Sequence, residues 1–134
     1  KLPGFLVKRK NNFIALQKHL KDIDGLHVLP QPSDDHFESC YYCLGALLDK
    51  KFISKRAEII TTLSESGVGS SVYYPQPVPR MKYYQDKYGY DQINYPNAAL
   101  ISDGMIALPV GPHLTVQDME IIATELKKCM EKIK

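Results

Sequence analysis

The sequence predicts a small α/β sandwich, an α+β arrangement in which helices pack on a mostly antiparallel sheet. Three observations lead to this fold class. Apolar residues recur every three or four positions in three long segments, which indicates amphipathic helices. Short apolar runs lie between these segments and indicate strands. Two of the strands follow each other across a short loop, which favours antiparallel pairing because a parallel pair needs a long crossover.

The first helix is predicted over residues 5–23. Its apolar face consists of Phe13, Leu16, Leu20 and Ile23. Gly25 follows and can adopt the left-handed conformation that often ends a helix. A short strand is predicted over 26–30, and residues 31–36 are predicted to form a polar loop because they carry no apolar periodicity.

A second strand is predicted over residues 37–48, where aromatic and apolar residues run almost without interruption. The next helix is predicted to begin at Ser54, whose hydroxyl can accept a bond from a first-turn N–H, and to run to about Ser66 before Gly67. A third short strand is predicted over 68–74.

The segment from Tyr73 to His113 has an unusual composition. It contains six of the nine prolines, and seven of the nine tyrosines lie between Tyr73 and Tyr95. We expect a long irregular segment with short helices near 80–88 and 96–104. Tyrosine offers a flat apolar face with a hydroxyl tip, which suits sugars, bases and protein surfaces. The alternative is a loop whose tyrosines pack against their own domain.

A last strand is predicted over 105–108, and a C-terminal helix follows it. Thr115, with Asp118 three residues later, resembles a capping box at the start of this helix. The apolar face of the helix consists of Met119, Ile122, Ala123, Leu126 and Met130.

Length and composition favour one domain over residues 1–134. The chain has 17 basic and 15 acidic residues and a net charge of +2, too weak a field to indicate nucleic acid or an anionic membrane as a partner. No apolar run approaches the roughly 20 residues of a membrane-spanning helix. The three cysteines, an odd number, favour a reducing, cytoplasmic location.

Motifs for metal or nucleophilic chemistry are weak in this sequence. Cys40 and Cys43 have the spacing of a zinc half-site or a redox pair, but zinc needs four ligands and residues three apart on a strand point to opposite faces. We therefore expect two small buried hydrophobes and no metal. The residues alone indicate no self-contained catalytic set.

Four segments together resemble the C-terminal part of the sugar aminotransferases of the DegT/DnrJ/EryC1/StrS family. They are KLPGFLVKRKNN, LHVLPQP with FESCYYCLGALL, KRAEIITTLSESGVGSSVYYPQPVPRMKYY, and YPNAALISDGMIALPVGPHLTVQDMEIIATEL. The resemblance implies the small C-terminal domain of the aspartate-aminotransferase fold, known as PLP fold type I. It also implies that the chain is part of a larger enzyme.

The resemblance further implies transfer of an amino group, typically from glutamate, to a keto group on a nucleotide-linked deoxysugar. Such reactions contribute to cell-surface polysaccharide biosynthesis. In the family, pyridoxal phosphate and its lysine are held mainly by a large domain that is absent from this chain. The expected partners are that large domain, the nucleotide sugar and a second copy of the enzyme in a homodimer. The chain alone is expected to be inactive.

The substrate-binding residues implied by the resemblance are Ser70, Tyr73 and Tyr74. Ser70 keeps the hydroxyl of the usual threonine, whereas Tyr73 replaces the usual histidine of a His-Tyr-Pro motif. Tyr73 can donate a hydrogen bond or stack on a sugar, but it cannot shuttle a proton near neutral pH as histidine can. We expect Arg56 to form a surface or interdomain ion pair rather than to bind a carboxylate.

Two alternatives stay open at this point. Relatives in the same family dehydrate sugars with pyridoxamine phosphate, and the missing histidine makes that the nearest alternative. The other is a free-standing binding or regulatory module of ferredoxin-like type, which would also explain the size of the chain and its antiparallel sheet.

Overall fold

A computed structural model describes residues 1–30, 36 and 38–133. Within these residues the chain forms six helices and three strands. In chain order they are α1 (Leu2–Leu20), β1 (Leu26–Val28), β2 (Cys43–Leu48), α2 (Lys50–Ile53), α3 (Arg56–Glu65), α4 (Lys82–Tyr88), α5 (Pro96–Gly104), β3 (Met105–Pro109) and α6 (Val116–Ile133). Short 3-10 turns precede α4 and α5.

The three strands form one antiparallel sheet in the order β1-β2-β3, which confirms the predicted fold class and the pairing of the first two strands. Leu26 lies opposite Leu48, and Ala46 lies opposite Ile106. Alternate residues of β2 are buried, so one face of the sheet supplies the core. Helices α1, α3 and α6 pack together on the core, while α5 contacts β2 and β3.

Most of the core comes from the predicted apolar faces. Its fully buried large side chains are Leu16, Leu20, Leu44, Leu48, Ile59, Leu63, Ile106, Leu108, Val110, Met119, Leu126 and Met130. Asn12 is the exception in α1, because this buried polar residue donates through Nδ2 to the carbonyl oxygens of Gly111 (3.1 Å) and Leu114 (3.0 Å). These two bonds tie α1 to the turn that leads into α6.

The predicted start of the second strand is wrong. β2 begins at Cys43, because Tyr41 has a left-handed backbone with φ 47° and interrupts the extended chain. The Tyr41 ring packs edge-on against Phe13, with 5.3 Å between the ring centroids. Residues 31–35 of the predicted loop, and Phe37, lie outside the described residues.

Two further predictions need correction. Ser54 does not cap a helix, because it ends α2 with helical φ/ψ of −64° and −19°. An N-cap residue needs non-helical φ/ψ, and α3 instead follows Lys55 without a side-chain cap. The strand expected over 68–74 is reduced to a single bridge, in which Ser71 pairs with Ala107 of β3.

The predicted helix ends are confirmed in part. Gly67 has φ 80° directly after the C-cap of α3, as expected. Gly25 has φ 82°, but α1 runs from Leu2 to Leu20 and ends with Lys21 in a right-handed conformation, so Gly25 lies in the turn before β1 and does not end the helix. At the start of α6, the Thr115 N–H and hydroxyl both donate to Asp118 Oδ2, at 2.7 Å and 2.8 Å, and the Asp118 N–H donates back to Thr115 Oγ1 at 3.3 Å. Helices α4 and α5 occur where short helices were predicted.

Candidate functional site

The segment that carries the predicted substrate-binding residues is anchored on the edge strand β3. The Ser71 N–H donates to the Ala107 carbonyl at 3.1 Å, and the Ala107 N–H donates back to Ser71 at 2.8 Å. This pair of bonds fixes the direction in which the following tyrosines leave the sheet. Ser70, Tyr73 and Tyr74 therefore stand beside one strand, but they do not all face the same space.

A tyrosine–proline cleft of about 550 Å³ lies on one side of this segment. It is lined by Tyr73, Tyr74, Gln76, Pro77, Val78, Pro79, Met81, Tyr90, Tyr95, Ala98, Ile101 and Ser102. Aromatic and aliphatic side chains dominate this lining, and the hydroxyls of four tyrosines supply polar groups. Such a surface suits a sugar ring, which presents apolar C–H faces and hydroxyls together.

An Arg9 cleft of about 400 Å³ lies on the other side. It is lined by Arg9, Tyr42, Cys43, Gly69, Ser70, Ser71, Tyr73, Ala107, Leu108, Pro109, Val110, Gly111, Pro112 and His113. Ser70 lines this cleft, Tyr74 lines the tyrosine–proline cleft, and Tyr73 lines both. The three predicted residues are thus divided between two neighbouring clefts, with Tyr73 between them.

The Tyr73 hydroxyl contacts the Tyr42 side chain. Its hydrogen bond with Tyr42 is the largest cause that raises the pKa of the Tyr73 phenol above its ordinary value, and a weaker bond from Ser71 acts in the opposite direction. The Tyr42 and Tyr73 rings lie 6.2 Å apart between centroids, and the Arg9 guanidinium lies 5.8 Å from the Tyr42 centroid. Tyr73 therefore stays protonated and can bind and orient a ligand.

The wall of the tyrosine–proline cleft is fastened to α5. The Ser102 hydroxyl donates to the Tyr74 carbonyl at 2.8 Å. Arg80 binds Asp103 with two bonds, Nη1 to Oδ1 at 2.5 Å and Nη2 to Oδ2 at 2.8 Å. The hydrogen bond from this guanidinium lowers the pKa of the Asp103 carboxyl. These contacts hold the 3-10 turn and α5 together, so the cleft has a fixed wall.

Arg56 plays a different part from the one we expected. Its Nη1 donates to the carbonyl oxygen of Ser102 and lies 3.4 Å from the carbonyl oxygen of Met105. The guanidinium thus caps the end of α5, where carbonyl groups lack helical partners. The charge of Arg56 also contributes to lowering the pKa of the Asp103 carboxyl, after the larger effect of Arg80. An interdomain ion pair of Arg56 stays a prediction.

The cysteine pair is also arranged differently from the strand-based prediction. Cys40 lies outside β2 and is exposed, so the strand argument that its side chain opposes Cys43 does not apply. Burial, with a smaller contribution from Cys40, raises the pKa of the Cys43 thiol, which disfavours the thiolate that metal binding and redox exchange require. The described part of the chain holds no cluster of three or more histidine, cysteine or acidic residues suited to a metal ion.

The sequence argument missed Arg9, Tyr42 and His113, which reach the Arg9 cleft from distant parts of the chain. One signal for Arg9 was present. It falls on the stripe of α1 that carries Phe13, Leu16 and Leu20, where a cation is out of place on a core-facing surface. Tyr42 and His113 carried no comparable signal, because their approach depends on tertiary packing.

Comparison with known proteins identifies the family. The model of the DegT/DnrJ/EryC1/StrS aminotransferase family matches residues 1–127. The chain is 30% identical over 105 residues to the spore coat polysaccharide biosynthesis protein SpsC of Bacillus subtilis, which covers 78% of this chain and 26% of SpsC.

Among solved structures, Helicobacter pylori PseC, an aminotransferase of pseudoaminic acid biosynthesis, superposes with a TM-score of 0.84 at 22% identity. The match covers 97% of this chain and 34% of PseC. The putative sugar aminotransferase Spr1654 of Streptococcus pneumoniae, in its PLP form, gives 0.83 at 25% identity and covers 98% and 33%. The chain thus spans about a quarter to a third of these relatives. The chain belongs to the DegT/DnrJ/EryC1/StrS aminotransferase family.

Proposed function

We propose that this chain is the small C-terminal domain of a pyridoxal-phosphate-dependent sugar aminotransferase. In this proposal it contributes a wall of the pocket for a nucleotide-linked keto-deoxysugar, and glutamate is the amino donor. The observation that carries the proposal is the anchored segment from Ser70 to Tyr74, which presents Tyr73 to both clefts. Family membership and the aromatic lining of the tyrosine–proline cleft support it.

The cofactor does not fit this chain on its own. Every lysine that the structure describes has an exposed side chain, and neither cleft has a lysine in its lining. The aldehyde of pyridoxal phosphate needs a lysine amine held in a pocket to form its Schiff base. We propose that the remaining part of the enzyme supplies this lysine and most of the cofactor contacts, and we assign no cofactor ligand to these residues.

The chemistry left to this chain is binding and orientation. A protonated phenol at Tyr73 can donate to a sugar oxygen, and the ring beside it can cover an apolar sugar face. Tyr74 offers a second ring, 5.8 Å away between centroids. We propose that these groups position the keto-sugar, that the complete enzyme is a cytoplasmic homodimer, and that it serves cell-surface polysaccharide biosynthesis.

The test of this proposal uses the complete enzyme that carries this chain. Tyr73→Phe and Tyr74→Phe should each raise the KM for the nucleotide sugar several-fold, because each removes one hydroxyl from the pocket wall. The visible absorbance of the cofactor should not change. Steady-state kinetics with a fixed glutamate concentration measures the first effect, and an absorbance spectrum measures the second.

Tyr83→Phe is the matched control, since Tyr83 lies on α4 outside both cleft linings. It should leave the KM unchanged. Unaltered kinetics in both Tyr73→Phe and Tyr74→Phe would remove these residues from the substrate pocket.

A second candidate is pyridoxamine-phosphate-dependent dehydration of a sugar. One observation favours it, namely that residue 73 is a tyrosine with a raised pKa and cannot shuttle protons near neutral pH. Product analysis separates the two reactions. Amino transfer leaves a new nitrogen on the sugar, whereas dehydration removes one hydroxyl as water and leaves no new nitrogen on it.

A further inference from the structure

The Arg9 cleft contains two buried polar atoms that the described protein atoms leave without a partner. They are Nε of Arg9 and Oγ of Ser70. Buried donors and acceptors in native proteins are almost always satisfied by protein groups, ordered water or a ligand. Two such atoms on one cleft wall therefore mark a place where something polar is bound.

The charge of the cleft identifies the kind of group. Arg9 supplies a permanent positive charge, and no aspartate or glutamate is found among the described residues that line the cleft. The guanidinium lies over the Tyr42 ring, 5.8 Å from its centroid. An arginine and a hydroxyl that line the same cleft are the kind of donors that bind phosphoryl and carboxylate oxygens.

Other groups on the cleft wall can complete such a site. Tyr73 holds a protonated hydroxyl beside it, and the His113 imidazole packs over Gly111 at the opposite end, leaving no room there for a Cβ atom. The lining thus offers a cation, the hydroxyl groups of two serines and two tyrosines, and an imidazole around one space of about 400 Å³. That volume accommodates a phosphoryl group together with part of the molecule that carries it.

We propose that Arg9 and Ser70 form an oxyanion-binding site, in which the Arg9 Nε–H and the Ser70 hydroxyl donate to an oxygen of a phosphoryl or carboxylate group. The inference deepens the proposed function and rests on it in one respect, because Ser70 is taken to face the substrate. The site is separate from the tyrosine–proline cleft, so a ligand that occupies both would place its anionic end at Arg9 and its apolar ring beside Tyr74.

Isothermal titration calorimetry of the chain with inorganic phosphate, in a buffer of low chloride content, tests the site. The unaltered chain should show saturable binding with a stoichiometry near one. Arg9→Met should weaken binding by about tenfold or more, and Ser70→Ala should weaken it several-fold. Lys10→Met is the matched control, because it removes the same charge from an exposed neighbour on α1 and should leave the affinity within about twofold.

The outcomes are distinguishable. The inference is overturned if neither phosphate nor glutarate, a dicarboxylate probe, shows saturable binding. It is also overturned if Arg9→Met and Lys10→Met lose the same amount of affinity, because the loss would then reflect only the general positive field of α1. If circular dichroism shows that Arg9→Met does not fold, Ser70→Ala decides, and an unchanged affinity in that variant overturns the site.

A parallel titration with glutarate separates the two sources of the oxyanion. Tighter binding of phosphate assigns a phosphoryl group, and tighter binding of glutarate assigns a carboxylate. Each of these results supports an oxyanion site. Because the readout is equilibrium binding, its failure leaves the kinetic test of Tyr73 and Tyr74 in the complete enzyme unaffected.

Discussion

Tyr73 shows how one residue can serve two neighbouring spaces. Its ring lines both the Arg9 cleft and the tyrosine–proline cleft, and the hydrogen bond with Tyr42 is the largest cause that raises the pKa of its phenol. A histidine at this position would alternate between donor and acceptor near neutral pH, whereas a tyrosine remains a donor. The chemistry at position 73 is therefore positional, and proton transfer falls to groups other than Tyr73.

Asn12 provides a stability prediction for a single residue. It is 2% exposed and its amide satisfies two carbonyl oxygens, so Asn12→Ala leaves both acceptors without this donor. We expect the free energy of unfolding to fall by about 1–3 kcal/mol, the usual cost of unsatisfied buried polar groups. Urea unfolding followed by circular dichroism measures this change.

Asn11→Ala is the control for helix propensity, because Asn11 is the exposed neighbour on the same helix. It should change the free energy of unfolding by less than about 0.5 kcal/mol. Equal effects of the two substitutions would show that the bonds from Asn12 to the turn at 111–114 contribute nothing to stability.

The capping box of α6 gives a prediction about pH. Hydrogen bonds from the backbone and hydroxyl of Thr115 lower the pKa of the Asp118 carboxyl. Because the folded-state pKa lies below the unfolded value, Asp118 stabilises the fold fully above the ordinary carboxyl pKa of about 4. This stabilisation is lost as the pH falls through the lowered folded-state pKa.

Asp118→Asn keeps an oxygen for Thr115 but removes the charge, so the melting temperature should fall less steeply below about pH 4 than in the unaltered chain. Thermal melts between pH 2 and 7 provide the measurement. Glu120→Gln removes an exposed carboxylate from the same helix and should leave the slope unchanged. The dependence of the melting temperature on pH that remains in Asp118→Asn includes the contribution of Asp103, whose pKa is lowered by Arg80. A slope identical in all three proteins would mean that the capping box does not titrate.

Helices and strands could be predicted where a local sequence pattern determines them. The periodicity and cap of α6 determine it almost alone, and the apolar stripe of α1 places that helix within a few residues. The segment 68–74 has the composition of a strand, yet within it only Ser71 pairs, with Ala107 of β3. Its pairing depends on long-range packing, which a local pattern does not contain.

The candidate site, like the helices and strands, could be predicted only where a local sequence pattern determines it. The tyrosine–proline composition located one cleft wall, and the family resemblance singled out Ser70, Tyr73 and Tyr74. The division of these residues between two clefts could not be predicted. It depends on Arg9 and His113, which lie 104 positions apart in the sequence and both line the Arg9 cleft. Contacts at such separation come from the assembled core.

The molecule as a whole leaves one apolar stripe uncovered. Leu2 and Phe5 continue the spacing that leads through Phe13 to Leu20, but they are 64% and 43% exposed because α1 extends beyond the core. The chain spans about a third of relatives such as PseC, so we propose that the rest of the enzyme covers this stripe.

The isolated chain should accordingly bind a hydrophobic dye such as ANS or self-associate, as judged by fluorescence and sedimentation. Changing Leu2 and Phe5 together to serine should reduce both effects. Ile14→Ser, which removes an exposed side chain from the opposite face of α1, should reduce them less. A chain that is monodisperse and free of dye binding would favour the free-standing module instead.

Residues 72–104 lie outside the sheet, between the bridge at Ser71 and the start of β3 at Met105. Ser71 and Ala107 exchange two backbone hydrogen bonds. Within the segment, the Ser102 hydroxyl donates to the Tyr74 carbonyl. The cost of closing a loop rises only slowly with its length. This stretch is therefore one insertion between Ser71 and Met105, and we expect that its length can change while the strands beneath it stay as they are.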